Sequence, residues 1–175
     1  MVKLVAALVT EGRLPLKIGE AILEDAQPEA ITWISPLDGK LGAVKKALGG
    51  FPGPGEVLEV KAGRALSVGP GQALVLGAAL SYKGAAVVDQ SDGWTVVSLN
   101  GATSRDVLAR LTPLDLRDAS LSEGTTARTM IGHMTASITR MGAYRYEIMV
   151  FRSMTQTLLH EMERAMRHVA ARAAL

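Results

Sequence analysis

The chain has no cysteine, which in one step excludes disulfides, thiolate metal sites and thiol nucleophiles. Aromatic residues are scarce at 4%, so the core has to be built from Val, Leu, Ile, Ala and eight adaptable methionines. No apolar run approaches the roughly 18 residues of a membrane span. The run Leu4 to Val9 behind Lys3 is too short for a signal-peptide core and is followed at once by Glu11 and Arg13. A cytoplasmic protein is the simplest expectation. Charge of one sign is lacking too: the net charge is +2, and Arg164, Arg167 and Arg172 stand among glutamates as a solvated helix face. Nucleic acid as a partner receives little support, because no basic stripe is interleaved with aromatics.

What is present suits one globular domain of 175 residues, 48% hydrophobic. Leu16 to Leu23 and Ala30 to Ile34 read as strands, being short, apolar and bounded by Pro28 and Pro36. A helix follows, with Leu41, Val44, Ala47 and Leu48 at helical spacing, Asp38 placed to cap it and Gly49-Gly50 ending it. After the GGFPGPG breaker, strands are predicted at Val57 to Lys61, Ala65 to Val68 and Ala73 to Leu76. The order then recurs: a strand at Trp94 to Leu99, a turn at Asn100-Gly101, a helix from Ser104 to Leu111, and strands at Thr126 to Ile131, Thr135 to Thr139 and Tyr144 to Phe151. The expectation is a compact α+β domain with antiparallel sheet, in two pseudo-repeats of strand, helix and three strands, about 16–80 and 84–175. A long C-terminal helix closes it, with Ser153 and Gln156 as a capping box and an apolar stripe from Leu158 to Ala170.

Chemistry is sparse. The loops at Gly53 and Gly69 lack GxGxxG opening a helix and lack GK[ST], so they read as turns rather than phosphate cradles. His160-Glu161-Met162-Glu163-Arg164 places a cation where the HExxH zinc motif has its second histidine, and His168 lies two turns away. His133 is a strand-end residue or a site residue. No serine lies in GxSxG. The carboxylates Asp89, Asp92, Asp106, Asp115, Asp118 and Glu123 fall within one stretch, and Asp106, Asp118 and Glu123 look structural. No catalytic or metal-binding residue is assigned.

Asp89-Gln90-Ser91 with Trp94, the Asn100-Gly101 turn, Val107-Leu108 through Leu114-Asp115-Leu116, Arg128-Thr129, and Arg152-Ser153 before the last helix share their order and spacing with one family. The stretch Val87 to Arg152 resembles the gamma subunit of heterotetrameric sarcosine oxidase. That resemblance implies a fold related to the folate-binding domain of the glycine-cleavage T-protein. It implies a non-catalytic accessory subunit of a flavin-dependent complex that oxidatively demethylates sarcosine. The implied partners are the alpha, beta and delta subunits, which hold FAD, FMN, NAD, tetrahydrofolate and zinc, while this chain binds none of them. Its lack of cysteine and of GxGxxG agrees with that division. The alternative is a stand-alone folate-binding protein of one-carbon metabolism or RNA modification. Asp89 is the one candidate cofactor-binding residue, since its D-x-S setting is similar to the place where folate-dependent relatives keep a carboxylate; otherwise it fixes a turn before Trp94. The loop Asp115 to Thr126 is a candidate contact surface, and the isolated chain is expected to self-associate if its partner face is apolar.

Overall fold

The computed structural model describes residues 10 and 12–174. The run Leu4 to Val9, with Lys3 and Glu11, lies outside them. The strands are β1 (Leu16–Ile18), β2 (Ala21–Asp25), β3 (Ala30–Pro36), β4 (Val57–Val60), β5 (Gly63–Gly69), β6 (Gln72–Gly77), β7 (Ala85–Asp89), β8 (Trp94–Asn100), β9 (Thr126–Ile131), β10 (Met134–Gly142) and β11 (Arg145–Phe151). The helices that lie wholly within the described residues are α1 (Leu41–Leu48), α2 (Ser104–Ala109) and α3 (Thr155–Ala173).

The strands form two antiparallel sheets, six-stranded in the order β1-β2-β8-β11-β10-β9 and five-stranded in the order β4-β5-β6-β3-β7. Successive side chains of a strand point to opposite faces, and both faces of the central strands are covered, so β3, β6, β8 and β11 read as largely apolar runs. From β8, Val97 and Leu99 join Leu23, Ile138 and Ile148 under Leu108 of α2 and Leu158, Met162 and Met166 of α3. From the opposite face, Trp94 and Val96, with Met149, meet Ile31, Leu66, Leu74 and Leu76 of the second sheet. The far face of that sheet, with Ile34, Ala65, Ala73 and Val75, packs on Val44, Leu48 and Phe51. Among the described residues four layers result: helices, sheet, sheet, helix. Each fully buried leucine or isoleucine stabilises them by about 2 kcal/mol.

Within the sheets one strand order occurs twice, β4-β5-β6-β3 and β9-β10-β11-β8. The outer strands are exchanged between the halves of the chain. β2 comes early but pairs with β8, through Leu23↔Leu99, and β7 follows the loop after β6 but pairs with β3, through Val88↔Trp33. The sheets also touch through the Glu56↔Thr125 bridge, where Thr126 N donates to Gly55 O at 2.9 Å.

Several local expectations are corrected. Leu16 to Leu23 is a hairpin rather than one strand, because Gly19 at φ 57° turns the chain so that Leu16 faces Leu23. Asp38 does not cap α1. Gly39, at φ 68°, bends the chain between them, Lys40 N donates to Leu37 O, and Lys40 takes the N-cap position without a side-chain cap bond. The capping box of α3 is absent as well: a 3-10 turn over Arg152–Met154 leads into the helix, Thr155 Oγ1 donates to Arg152 O, and Gln156 Oε1 accepts from Arg13 at 2.6 Å. β7 was not expected, since Ala-Ala-Val-Val neither alternates nor carries strong strand formers throughout.

Candidate functional site: the Asp89 corner and a crevice between the sheets

β7 delivers Asp89 to a corner built of short polar side chains. Asp89 Oδ1 accepts from Ser91 N at 2.9 Å and from Ser91 Oγ at 2.6 Å. Ser91 Oγ in turn accepts from Ile31 N at 3.0 Å, and Gln90 N donates to Ile31 O at 2.8 Å, so the corner is laced to the start of β3. Gln90 Oε1 accepts from Trp94 Nε1 at 3.0 Å, which fixes the indole. Trp94 stacks on Phe151 with centroids 4.5 Å apart and planes at 25°. The corner opens on a groove of about 410 Å³ lined by Val88, Asp89, Asp92, Trp94 and Phe151.

The remaining carboxylates do not converge on it. Asp115 accepts from Arg117 Nε and Nη2 and from Ser120 Oγ, all in its own loop. Asp118 accepts from Arg105 and, at 2.8 Å, from Arg140, whose side chain is 4% exposed and also donates to Leu121 O. These arginine bonds hold the carboxyls of Asp115 and Asp118 below their ordinary value. The loop from Asp115 to Thr126 is thereby pinned to α2 and β10. Asp106 is exposed on α2, and Glu123 stands 3.9 Å from Arg140. His133 sits in the exposed β9–β10 turn, and His160 and His168 on the solvent side of α3. Among the described residues, no group of three or more His, Asp and Glu could hold a metal ion.

A second polar place went unnoticed in the sequence. The register aligns Glu24, Ser98, Glu147, Thr139 and Thr126 in one row across β2, β8, β11, β10 and β9. Facing this row, Arg64 of β5 reaches across from the other sheet and pairs with Glu147, whose side chain is only 6% exposed. Asn100 Nδ2 donates to Glu24 Oε2 at 2.8 Å and to Ser98 Oγ at 3.1 Å, and Arg145 lies 3.9 Å from Glu147. Glu24, Arg64, Ser98, Asn100, Arg145 and Glu147 line an open crevice of about 540 Å³. Its groups can hydrogen-bond and neutralise charge, but no histidine lines it to move a proton. The signal that could have found it is local: a glutamate inside the apolar strand Tyr-Glu-Ile-Met-Val-Phe.

This class of chain, two stacked antiparallel sheets with helices outside, is shared with a chain of the heterotetrameric sarcosine oxidase from Corynebacterium sp. U-96 in complex with pyrrole 2-carboxylate. The TM-score is 0.81, the identity 21%, and 95% of each chain is covered. No curated protein matches the sequence at a significant level. Residues 43–166 match the sarcosine oxidase, gamma subunit family. The chain belongs to that family.

Proposed function

We propose that this chain is the gamma subunit of a heterotetrameric sarcosine oxidase, contributing to assembly of the complex rather than a catalytic centre. The observation that carries the proposal is the family match over residues 43–166. The chemistry supports it: a chain without cysteine offers no thiolates for zinc, and one without GxGxxG offers no dinucleotide turn. The corner and loop carboxylates are engaged by Ser91 and by arginines of the same chain. On this reading the partners are the alpha, beta and delta subunits. They hold FAD, FMN, NAD, tetrahydrofolate and zinc, and the assembly serves sarcosine catabolism, a branch of one-carbon metabolism, in the cytoplasm. The chain is then one domain of two pseudo-repeats, about 16–80 and 84–175, related to the folate-binding domain of the glycine-cleavage T-protein. The strand order used in both sheets supports the repeat.

The test is co-expression of the four chains with an affinity tag on this one. Flavin-bearing chains are expected to co-purify with it, and omission of this chain should lower the yield of intact, active oxidase. Full oxidase activity and an intact complex in its absence would overturn the proposal.

A further inference from the structure

Five charged side chains line the crevice between the sheets, and they fall into two poles. Glu24 and Asp25 stand on β2, Arg145 and Glu147 on β11, with β8 between those strands, and Arg64 comes from β5 of the facing sheet. At the β11 wall two guanidiniums share one carboxylate. Arg64 Nη2 pairs with Glu147 Oε2, while Arg145 Nη2 stands 3.9 Å from Glu147 Oε1, beyond hydrogen-bond distance. Arg64 Nε, buried, has no partner among the described residues. Two cations against one anion leave this wall positive, with donors incompletely used.

At the β2 wall the balance is reversed. Glu24 accepts from the neutral Asn100 amide at 2.8 Å, and Asp25 accepts from Gln27 N at 2.8 Å and from Thr10 Oγ1 at 2.6 Å. No described lysine or arginine pairs with either carboxylate. Between the poles the floor is dry, since the Glu147 side chain is 6% exposed and Ser98 is buried, so charges above it are weakly screened.

The spacing of the poles selects what can bridge them. Side chains stand roughly perpendicular to a sheet, so the poles are set apart by the two strand spacings from β2 to β11, about 10 Å. An ammonium and a carboxylate joined through a single carbon, with a charge-assisted hydrogen bond at each end, span about 9 Å. A lone anion would meet Glu24 and Asp25, and a lone cation would meet Arg145 and Arg64, whereas an ion carrying both charges answers each pole. Among the described residues no aromatic side chain lines the crevice, so a flat ring has nothing to stack on.

We propose that this crevice is a binding site for a small α-amino acid in its zwitterionic form. The carboxylate of the ligand lies against Arg145 and Arg64, and its ammonium donates to Glu24. Arg145, 56% exposed, stands at the open mouth, so the ligand enters from solvent. With no histidine to move a proton, the site binds without turning its ligand over. Every group it uses belongs to this chain, so its test is independent of assembly into a complex.

The experiment titrates the full chain with glycine and follows backbone amide NMR shifts. Saturable shifts are expected at Glu24, Ser98, Asn100 and Arg145, with none in α1. Glycolate keeps the carboxylate without the ammonium, ethanolamine keeps the ammonium without the carboxylate, and each should bind about tenfold more weakly than glycine. Glu24→Gln and Arg145→Gln should each weaken glycine binding about tenfold. Both positions are exposed, so the urea midpoints of these variants should match that of the wild type. His160→Gln, on the solvent side of α3, should bind glycine as the wild type does. Absence of a saturable shift with glycine would overturn the proposal. Glycolate binding as tightly as glycine would reduce the crevice to an anion site, and ethanolamine doing so would reduce it to a cation site; either result overturns the zwitterion. Undiminished glycine binding by Glu24→Gln or Arg145→Gln would overturn it equally.

Discussion

Arg64 and Glu147 are the residues whose loss should be felt most. The pair lies between two sheets, Glu147 almost fully buried and Arg64 mostly so, and Arg64 Nε has no partner among the described residues. Desolvation of two charges offsets much of their attraction, so the pair adds little net stability, yet removing one partner strands the other. Glu147→Ala is expected to destabilise the chain by about 3 kcal/mol. The double change Arg64→Met with Glu147→Leu should recover most of that loss, and urea unfolding of the three variants measures it. A double variant no more stable than Glu147→Ala would show that the cost was packing and not stranded charge. The two polar places also differ in how far the sequence betrays them. Asp89 and Ser91 are two positions apart, so a turn held by a D-x-S triplet is readable locally. The Arg64 and Glu147 pairing joins residues 83 positions apart, and nothing near either one announces the other.

Among the elements, the segment between α2 and β9 has no regular structure and is ordered by charge instead. Arg140, buried, holds Asp118 and the carbonyl of Leu121, while Asp115 folds Arg117 and Ser120 onto itself. Asp118 titrates in the folded chain below its ordinary value of 3.8. Its contribution is therefore complete above that value and is lost as pH falls through it toward the folded value. Backbone NMR shifts of residues 115–123 should hold steady down to about pH 4 and change below it. Asp118→Asn should loosen the same loop at neutral pH, with amide exchange there about tenfold faster. Long periodic elements such as α3, and strands bounded by Gly or Pro, were legible because burial imposes a period. The boundaries that failed, at Asp38, at Ser153 and within Leu16 to Leu23, were decided by single turns: a left-handed Gly39, a 3-10 entry to α3 and a two-residue hairpin. β7 escaped because pairing with β3, rather than its own sequence, makes it a strand.

At the scale of the molecule, the exchange of outer strands makes neither half separable. Residues up to Leu80 supply β1 and β2 to the six-stranded sheet, and the remainder supplies β7 to the five-stranded one. A protease site placed in the exposed stretch around Ala78 and Ala79 tests this. After cleavage the two pieces should still elute together from a sizing column, and either piece expressed alone should lack a cooperative thermal transition. Pieces that separate and fold independently would contradict it. The same exchange governs how the chain is made. On the ribosome the hairpin of β1 and β2 emerges long before β8, the strand on which it pairs, and α3, which covers Leu23 and Leu99, emerges after every described strand. The nascent chain thus carries these apolar strands without a sheet to join until β8 and then α3 have been made, an interval in which a holding chaperone has something to hold.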